Sequence, residues 1–545
     1  MDAITPWRLT DRRTKLERFD RFDVASALLI AALLALVLLT FRDYSISNDE
    51  EVQHRYGQMI LAYYASGLAD RSLFAFQNLY LYGGLFDVVA LLLGYVLPGD
   101  IFTIRHVLCA VIGVGGIAAA WATARMIAGP RAGMFALLAL AVCGVWYGPM
   151  FNHTKDIPFA AAMIGATYFL LRAARDLPRP RLRDLILFGI LMGAALGQRA
   201  MGLLLPVYTL LAILLHAPRP FSLATALRFL GGSLLLFVPA FALGYLIMIA
   251  AWPWAAIGLL NPIRALFAFT HFQYPIKTLL SGDAYLMAQV PRSYVPVYLA
   301  IKLPLAVLAG AVLALFAIGR MRAMTPRRDW LRSRETMLIA VTAIVPVLLH
   351  VAGHGPAFSG MRHFTFVVPP LAVLAGIGFD RALAWLEARS RGLARLAFAG
   401  IGVWLLWTGS ALVRLHPYQY LYFNETVGGL AGAAQRYDTD YWVNIMHEAV
   451  LGLEHALDRE GRPPGQYRVA VCGERLSFEH EVAEYKHLKM AVGDEPADFF
   501  IAPTHMNCDQ ALDGTVVVKI ERMGTVIGVV KDRRALNERD VARRR

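Results

Sequence analysis

Residues 24–57 read VASALLIAALLALVLLTFRDYSISNDEEVQHRYG, an apolar run that gives way to three successive carboxylates, Asp49, Glu50 and Glu51. The run 24–41 carries no charge and approaches the roughly 20 residues that a helix needs to cross a bilayer. It follows an Arg-rich polar stretch of about 23 residues and has no small-residue cleavage site, so it reads as a retained first span and not a signal peptide. Similar runs recur at 107–124, 135–147, 229–251 and 295–318. Of the 545 residues, 57% are hydrophobic and 17% charged, with a mean hydropathy of +0.49. A water-soluble chain of this size needs more polar surface, so the bilayer is the solvent.

The formal charge of +13 does not point to nucleic acid. The arginines fall in short loops between apolar runs, where the positive-inside rule accounts for them. Arg8, Arg12, Arg13, Lys15, Arg18 and Arg21 place the N-terminus, 1–23, in the cytoplasm. The loops at 125–131, 172–183, 219–228, 320–334 and 381–395 belong on the same side. Satisfying them all makes 81–97 a surface or re-entrant helix, with Asp87 inside it and Gly83-Gly84 near its start. About eleven spans result: 24–41, 103–125, 132–150, 157–172, 185–198, 201–216, 227–251, 295–318, 336–351, 364–380 and 394–413. The predicted fold is an α-helical polytopic membrane protein over 24–413, with a first outer loop at 42–102. A small extracytoplasmic α/β C-terminal domain follows over 414–545.

In this topology the unusual polar residues collect on the outer face. Charges are costly near lipid, so each cluster there is either solvated or functional. In the first loop, Val52, Tyr56, Met59, Ile60 and Tyr63 fall at helical spacing, which predicts an amphipathic helix along the interface with Asp49 at its N-terminal end. His54 lies within it. Phe151-Asn152-His153-Thr154-Lys155-Asp156-Ile157-Pro158 forms a polar knot between two spans. There Asp156 either caps the next helix or steers an acceptor or metal, with His153 beside it, and Lys155 either snorkels or meets a phosphate. Gln198-Arg199 interrupts an apolar hairpin, and an Arg at that depth calls for an anionic partner unless it snorkels. Aromatic residues in 252–296 either form an interfacial belt or stack on a sugar or an isoprene. Arg362, in Gly360-Met361-Arg362-His363-Phe364, offers a fork of donors to a dianion, with His363 beside it to orient it; the alternative is an interfacial Arg and a satisfied His.

An acidic pair after the first span, followed by an amphipathic helix, resembles the GT-C class of membrane glycosyltransferases. Within that class the chain is most similar to the protein O-mannosyltransferases and lipid A aminoarabinose transferases. The segments at Gly360–Phe364, Pro417-Tyr418-Gln419-Tyr420-Leu421-Tyr422-Phe423-Asn424, Gly428-Gly429 and Asp440-Tyr441-Trp442 resemble a bacterial and archaeal branch of them. The resemblance spans roughly 20–445. It implies an inverting glycosyltransferase that takes sugar from a polyprenyl-phosphate donor on the extracytoplasmic side of a bacterial inner membrane. It makes Asp49 the catalytic base and Glu50 its neighbour, since inverting transfer needs a carboxylate to accept the acceptor's proton. Arg199, Arg362, His363 and Lys155 then face the donor phosphate, and Asp156, His153 and His54 the acceptor or a metal. Some relatives hold a divalent metal at such carboxylates; this sequence leaves the metal, the sugar and the acceptor open. It also departs from the pattern, because Phe76-Gln77-Asn78-Leu79-Tyr80 stands where relatives carry a Pro-rich basic motif.

Beyond about residue 440 the pattern changes to a helix at 443–460 and strands near 466–472, 497–501, 514–520 and 525–530. That region has no phosphate loop, metal-ligand spacing or nucleophile elbow. Cys472 and Cys508 can pair there if it lies outside the cytoplasm, whereas Cys109 and Cys143, in apolar runs, read as packing residues. The competing function is a polytopic lipid or sugar transporter. Against it, the two halves show no internal repeat, and the polar residues gather at one face instead of running through the membrane.

Overall fold

The computed structural model describes residues 20–217, 222–272, 274–321, 327–461, 464–493 and 495–537. Of the residues used above, those before 20, together with Arg219, Gln273 and 322–326, lie outside the described residues. Among the described residues, seven helices are long and apolar enough to cross a membrane: Arg21–Asp43, Ile101–Ala128, Asp156–Arg175, Leu223–Ala251, Arg332–Gly353, Arg362–Glu387 and Arg391–Leu415. Two further pairs qualify only if each is one bent span: Pro130–Ala141 with Gly144–Asn152, turned by 72°, and Tyr294–Lys302 with Leu305–Ile318, turned by 111°. The chain is an integral membrane protein with seven to nine such spans, against about eleven expected.

The difference lies in the hairpin at 185–216. Its helices, Leu182–Leu196 and Leu204–Leu215, have 15 and 12 residues. At 1.5 Å per residue they reach about 22 and 18 Å, short of the roughly 30 Å hydrocarbon core. Their joining turn is drawn into the protein, and Gln198 is buried.

The 81–97 segment is also shorter than a span. It forms the 10-residue helix Leu85–Gly94, packed against Glu50–Ala65 and Ile101–Ala128. Gly83 explains its placement, because a Cβ there would lie 2.0 Å from the Gly197 carbonyl oxygen. Backbone bonds Gly84 N–H to Ala251 O at 3.0 Å and Leu85 N–H to Gly197 O at 3.1 Å fasten the same contact. This close approach, which only glycine permits, sets Tyr82 beside the Gln198–Arg199 turn.

The helix Glu50–Ala65 buries Tyr56, Ile60 and Tyr63 against Leu73 and Leu79, the face that its spacing foretold. The aromatic loop after Ala251 folds into two short helices and a hairpin, Lys277–Leu280 with Asp283–Leu286, tied to Asp438 through Leu279 N–H at 2.9 Å and the Thr278 hydroxyl. After the last span the chain forms the helix Met446–Arg459 and a five-stranded sheet. The sheet order is Leu488–Met490, Tyr467–Val471, Phe499–Pro503, Thr525–Asp532, Thr515–Arg522, with the first three parallel and the last two antiparallel additions. Cys472 and Cys508 are joined in a disulfide. This unit rests on the first loop, where Ser477 Oγ donates to Ile46 O at 3.0 Å and Ser45 Oγ to Asn444 O at 2.9 Å.

Candidate active site

Asp49 and Glu50 are adjacent in sequence but serve different neighbours. Asp49 occupies the N-cap position of Glu50–Ala65 without its side chain bonding the helix backbone. Its carboxylate is 45% exposed and lies 3.2 Å from Arg362 Nη1. Glu50 is fully buried, accepts from Ser47 N–H at 2.9 Å and meets His106 Nε2 at 3.1 Å. Glu50 is therefore held in the protein interior, while Asp49 faces the open side.

The turn at 152–156 is fixed from several directions. Asn152 Nδ2 donates to Ser45 O at 2.9 Å and to Asn444 Oδ1 at 3.2 Å. Beyond it, Asp156 pairs with Arg199 across the bundle. Lys155 Nζ lies 4.1 Å from the centre of the Tyr82 ring, and the Arg199 guanidinium 5.7 Å from the same ring. The charges of Arg199, Arg362, Asp49 and Asp156 all act on the Tyr82 hydroxyl, which burial pushes up to about 12. Tyr82 thus marks the point where the first loop, the knot, the hairpin turn and the Gly360–Phe364 segment converge. Burial lowers Lys155 to about 8, even with Asp49, Asp87 and Asp156 near it to favour its charge.

The Arg362 guanidinium is sandwiched, 4.4 Å from the Trp442 ring and 4.9 Å from that of Phe358. His363 stacks edge-on against Phe358 at 4.8 Å. Both Arg199 and Arg362 keep a buried Nε–H with no hydrogen-bond partner. Buried donors without partners are rare and costly, and guanidiniums that keep one are suited to an anion. His153 is packed edge-on against Trp442 at 5.0 Å. Burial, with Arg362's charge adding to it, takes His153 down to about 3, so it stands as a neutral imidazole. His54 does not join the group; it meets Gln58 Nε2 at 3.0 Å and packs near Phe102.

A cavity of about 480 Å³ opens beside this cluster. Tyr82, Arg199 and His363 form its polar end, and its walls are apolar, including Leu204, Val207, Leu266 and Leu349. A charged head next to a long apolar trough matches an amphiphile with an anionic group. Asp49 and Asp156 each face a guanidinium, and among the described residues no group of three or more His, Cys, Asp or Glu side chains is placed to hold an ion.

Several participants were not foreseen. Tyr82 gave no local signal, since aromatic residues are common in such loops, and Trp442 stood out only as part of the Asp440-Tyr441-Trp442 resemblance, with no role of its own. Arg105 and His106 did give one, as two polar side chains inside the apolar helix Ile101–Ala128; both are buried.

Residues 89–245 match the family described as dolichyl-phosphate-mannose-protein mannosyltransferase. The match agrees with the resemblance read from the sequence, that of a GT-C class membrane glycosyltransferase. No curated protein matches the chain. Among solved structures, the chain is similar to ArnT from Cupriavidus metallidurans in the apo state, at 17% identity over 93% of this chain and 98% of that one, with a TM-score of 0.47. The same ArnT bound to undecaprenyl phosphate is similar at 16% identity over 93% and 98%, with a TM-score of 0.45. The oligosaccharyltransferase AglB from Archaeoglobus fulgidus, in complex with an inhibitory peptide and a dolichol-phosphate, matches at 14% identity over 89% and 70%, with a TM-score of 0.47.

Proposed function

We propose that this protein is an inverting glycosyltransferase that moves a sugar from a polyprenyl-phosphate carrier to an acceptor at the extracytoplasmic face of the membrane. The observation that carries this reading is the pairing of Asp49 with Arg362 at 3.2 Å, near Tyr82, which carries Lys155 and Arg199 against its ring and lines with Arg199 and His363 the polar end of an apolar trough. The prenyl tail lies in the trough and its phosphate meets Arg199, Arg362 and Lys155. Asp49 takes the proton of the acceptor hydroxyl or amine as that atom attacks the anomeric carbon. The bond from this carbon to the phosphate oxygen breaks, and its electron pair goes to the phosphate, whose charge rises from one to two negative. The guanidiniums stabilise that added charge as it develops, the kind of contribution that usually dominates such reactions. As the phosphate gains its second charge and Asp49 its proton, Arg362 exchanges Asp49 for the phosphate.

The charges at the ends of the spans that lead to the site support this sidedness. Asp156–Arg175 carries Asp156 at one end and Arg172 and Arg175 at the other. Arg21 likewise begins the helix that runs toward Asp49. The positive-inside rule puts those arginines in the cytoplasm, hence Asp49 and Asp156 outside. The first loop and the region after the last span share that side, where Glu474 N–H donates to Asn48 Oδ1 at 3.4 Å, next to Asp49.

The deciding experiment is transfer of radiolabelled sugar from polyprenyl phosphate by purified protein, wild type against Asp49→Asn. Loss of transfer in the variant is expected, and equal rates remove Asp49 as the base. Failure of the wild type with every donor returns the transporter reading.

A further inference from the structure

Behind Asp49 lies a second set of charges that the proposed chemistry does not touch. Arg105 enters from the helix Ile101–Ala128 and is 0% exposed. Its Nη2 donates to Asp87 Oδ1 at 2.9 Å and to Thr154 Oγ1 at 3.0 Å, and its Nε stands 3.6 Å from Glu50 Oε1. Thr154 in turn donates to Gln53 Oε1 at 2.7 Å, back on the helix that begins beside Asp49. Ser47 joins the same two segments, since its Oγ lies 3.3 Å from Glu50 Oε2 and 3.0 Å from Asn152 O. One guanidinium therefore touches the residue after Asp49, the residue before Lys155, and the helix Leu85–Gly94 that follows Tyr82.

We propose that Arg105 is a positioning residue that fixes Asp49 relative to Lys155 and Asp156, an inference that rests on the transferase reading above. A guanidinium holds its donors in a rigid plane, so Asp87 and Thr154, both bonded to Nη2, are locked in mutual orientation while Glu50 is held by charge at 3.6 Å; an ammonium supplies the charge without the directions. The burial that strengthens these bonds also makes a released Glu50 or Asp87 costly, which keeps the arrangement single-valued. Arg105 contacts neither Arg199 nor Arg362. Lys155 follows Thr154 and shares the phosphate with Arg199 and Arg362, which keep their own contacts, so loss of Arg105 falls mainly on the geometry of proton transfer and less on donor binding. A displacement on the order of 1 Å at a reacting group can cost about a hundredfold in rate.

The test uses the full chain in nanodiscs and two variants. Thr154→Val cuts the Arg105–Thr154–Gln53 link while leaving every buried charge in place, and Arg105→Lys keeps the charge but not the fork. Hydrogen–deuterium exchange is followed in residues 45–53 and 152–157, together with steady-state transfer. Both variants are expected to exchange faster in both segments, with kcat lowered about tenfold or more and donor KM within about twofold of wild type. Unchanged exchange in these segments overturns the proposal, as does faster exchange with kcat intact, which makes Arg105 a packing residue only. A wild-type protein that transfers no sugar overturns the transferase reading and leaves Arg105 no base to position.

Discussion

Arg362 Nη1 stands 3.2 Å from Asp49 Oδ2, joining residues 313 positions apart in the chain. If Asp49 is the base, as proposed above, this pairing neutralises it until something competes for the guanidinium. The donor's phosphodiester carries one negative charge, as Asp49 does, and draws Arg362 away only as bond breaking gives the phosphate its second charge.

Arg362→Gln removes both the phosphate contact and this coupling. It is expected to lower kcat/KM about a hundredfold, with Arg362→Lys in between because charge survives without the fork. Michaelis kinetics with a polyprenyl-phosphate sugar measures it, and a Gln variant within about twofold of wild type removes Arg362 from the phosphate site.

Lys155 gives the site a pH dependence. Burial lowers it to about 8, so its positive charge is present below that value and lost as pH rises through it. Donor KM is expected to rise between about pH 7 and about pH 9 in the wild type and to stay level in Lys155→Arg, whose guanidinium keeps its proton. A wild-type profile as flat as that of the Arg variant separates Lys155 from donor binding.

The two neighbouring carboxylates should separate by phenotype. Glu50→Gln breaks a buried ion pair with Arg105 and is expected to cost about 3 kcal/mol, visible as a lower Tm. Asp49→Asn, at a half-exposed position, should leave Tm nearly unchanged and lower kcat by about a hundredfold or more. Thermal melts and transfer rates on the same preparations decide between this and a shared catalytic role.

The Cys472–Cys508 disulfide closes a loop of sequence separation 36. Chain-entropy reasoning gives about 3 to 4 kcal/mol for such a loop. Cys472→Ser should therefore loosen the C-terminal sheet, read as faster proteolysis after the last span, while the membrane helices melt as before. A non-reducing gel that shows two free thiols per chain at these positions contradicts the pairing.

Much of the candidate site could be read locally. Asp49, Lys155, Asp156, Arg199 and Arg362 each stand out because a charge between apolar runs has few reasons to be there. The seven clear spans, the helix Glu50–Ala65 with its buried Tyr56–Ile60–Tyr63 face, and most C-terminal strands follow from hydrophobic period alone. Glu50 shows the limit of that method, since nothing in three consecutive acids says which one turns inward. That choice depends on His106 and Arg105, which reach Glu50 from a different helix. His54 lies near Asp49 in sequence, yet its ring partners are Gln58 and Phe102.

Composition and periodicity by themselves determined that this chain lives in a bilayer, that its arginine clusters fall between apolar runs, and which side chains could bear chemistry. Those properties depend on transfer free energy and helical spacing, both written residue by residue. Only the tertiary structure decided which charge meets which: Asp49 with Arg362, Asp156 with Arg199, Glu50 with Arg105. Such pairings depend on where short helices stop and where glycines such as Gly83 let backbones touch. Those are properties of packing between distant segments, and local sequence carries no record of them.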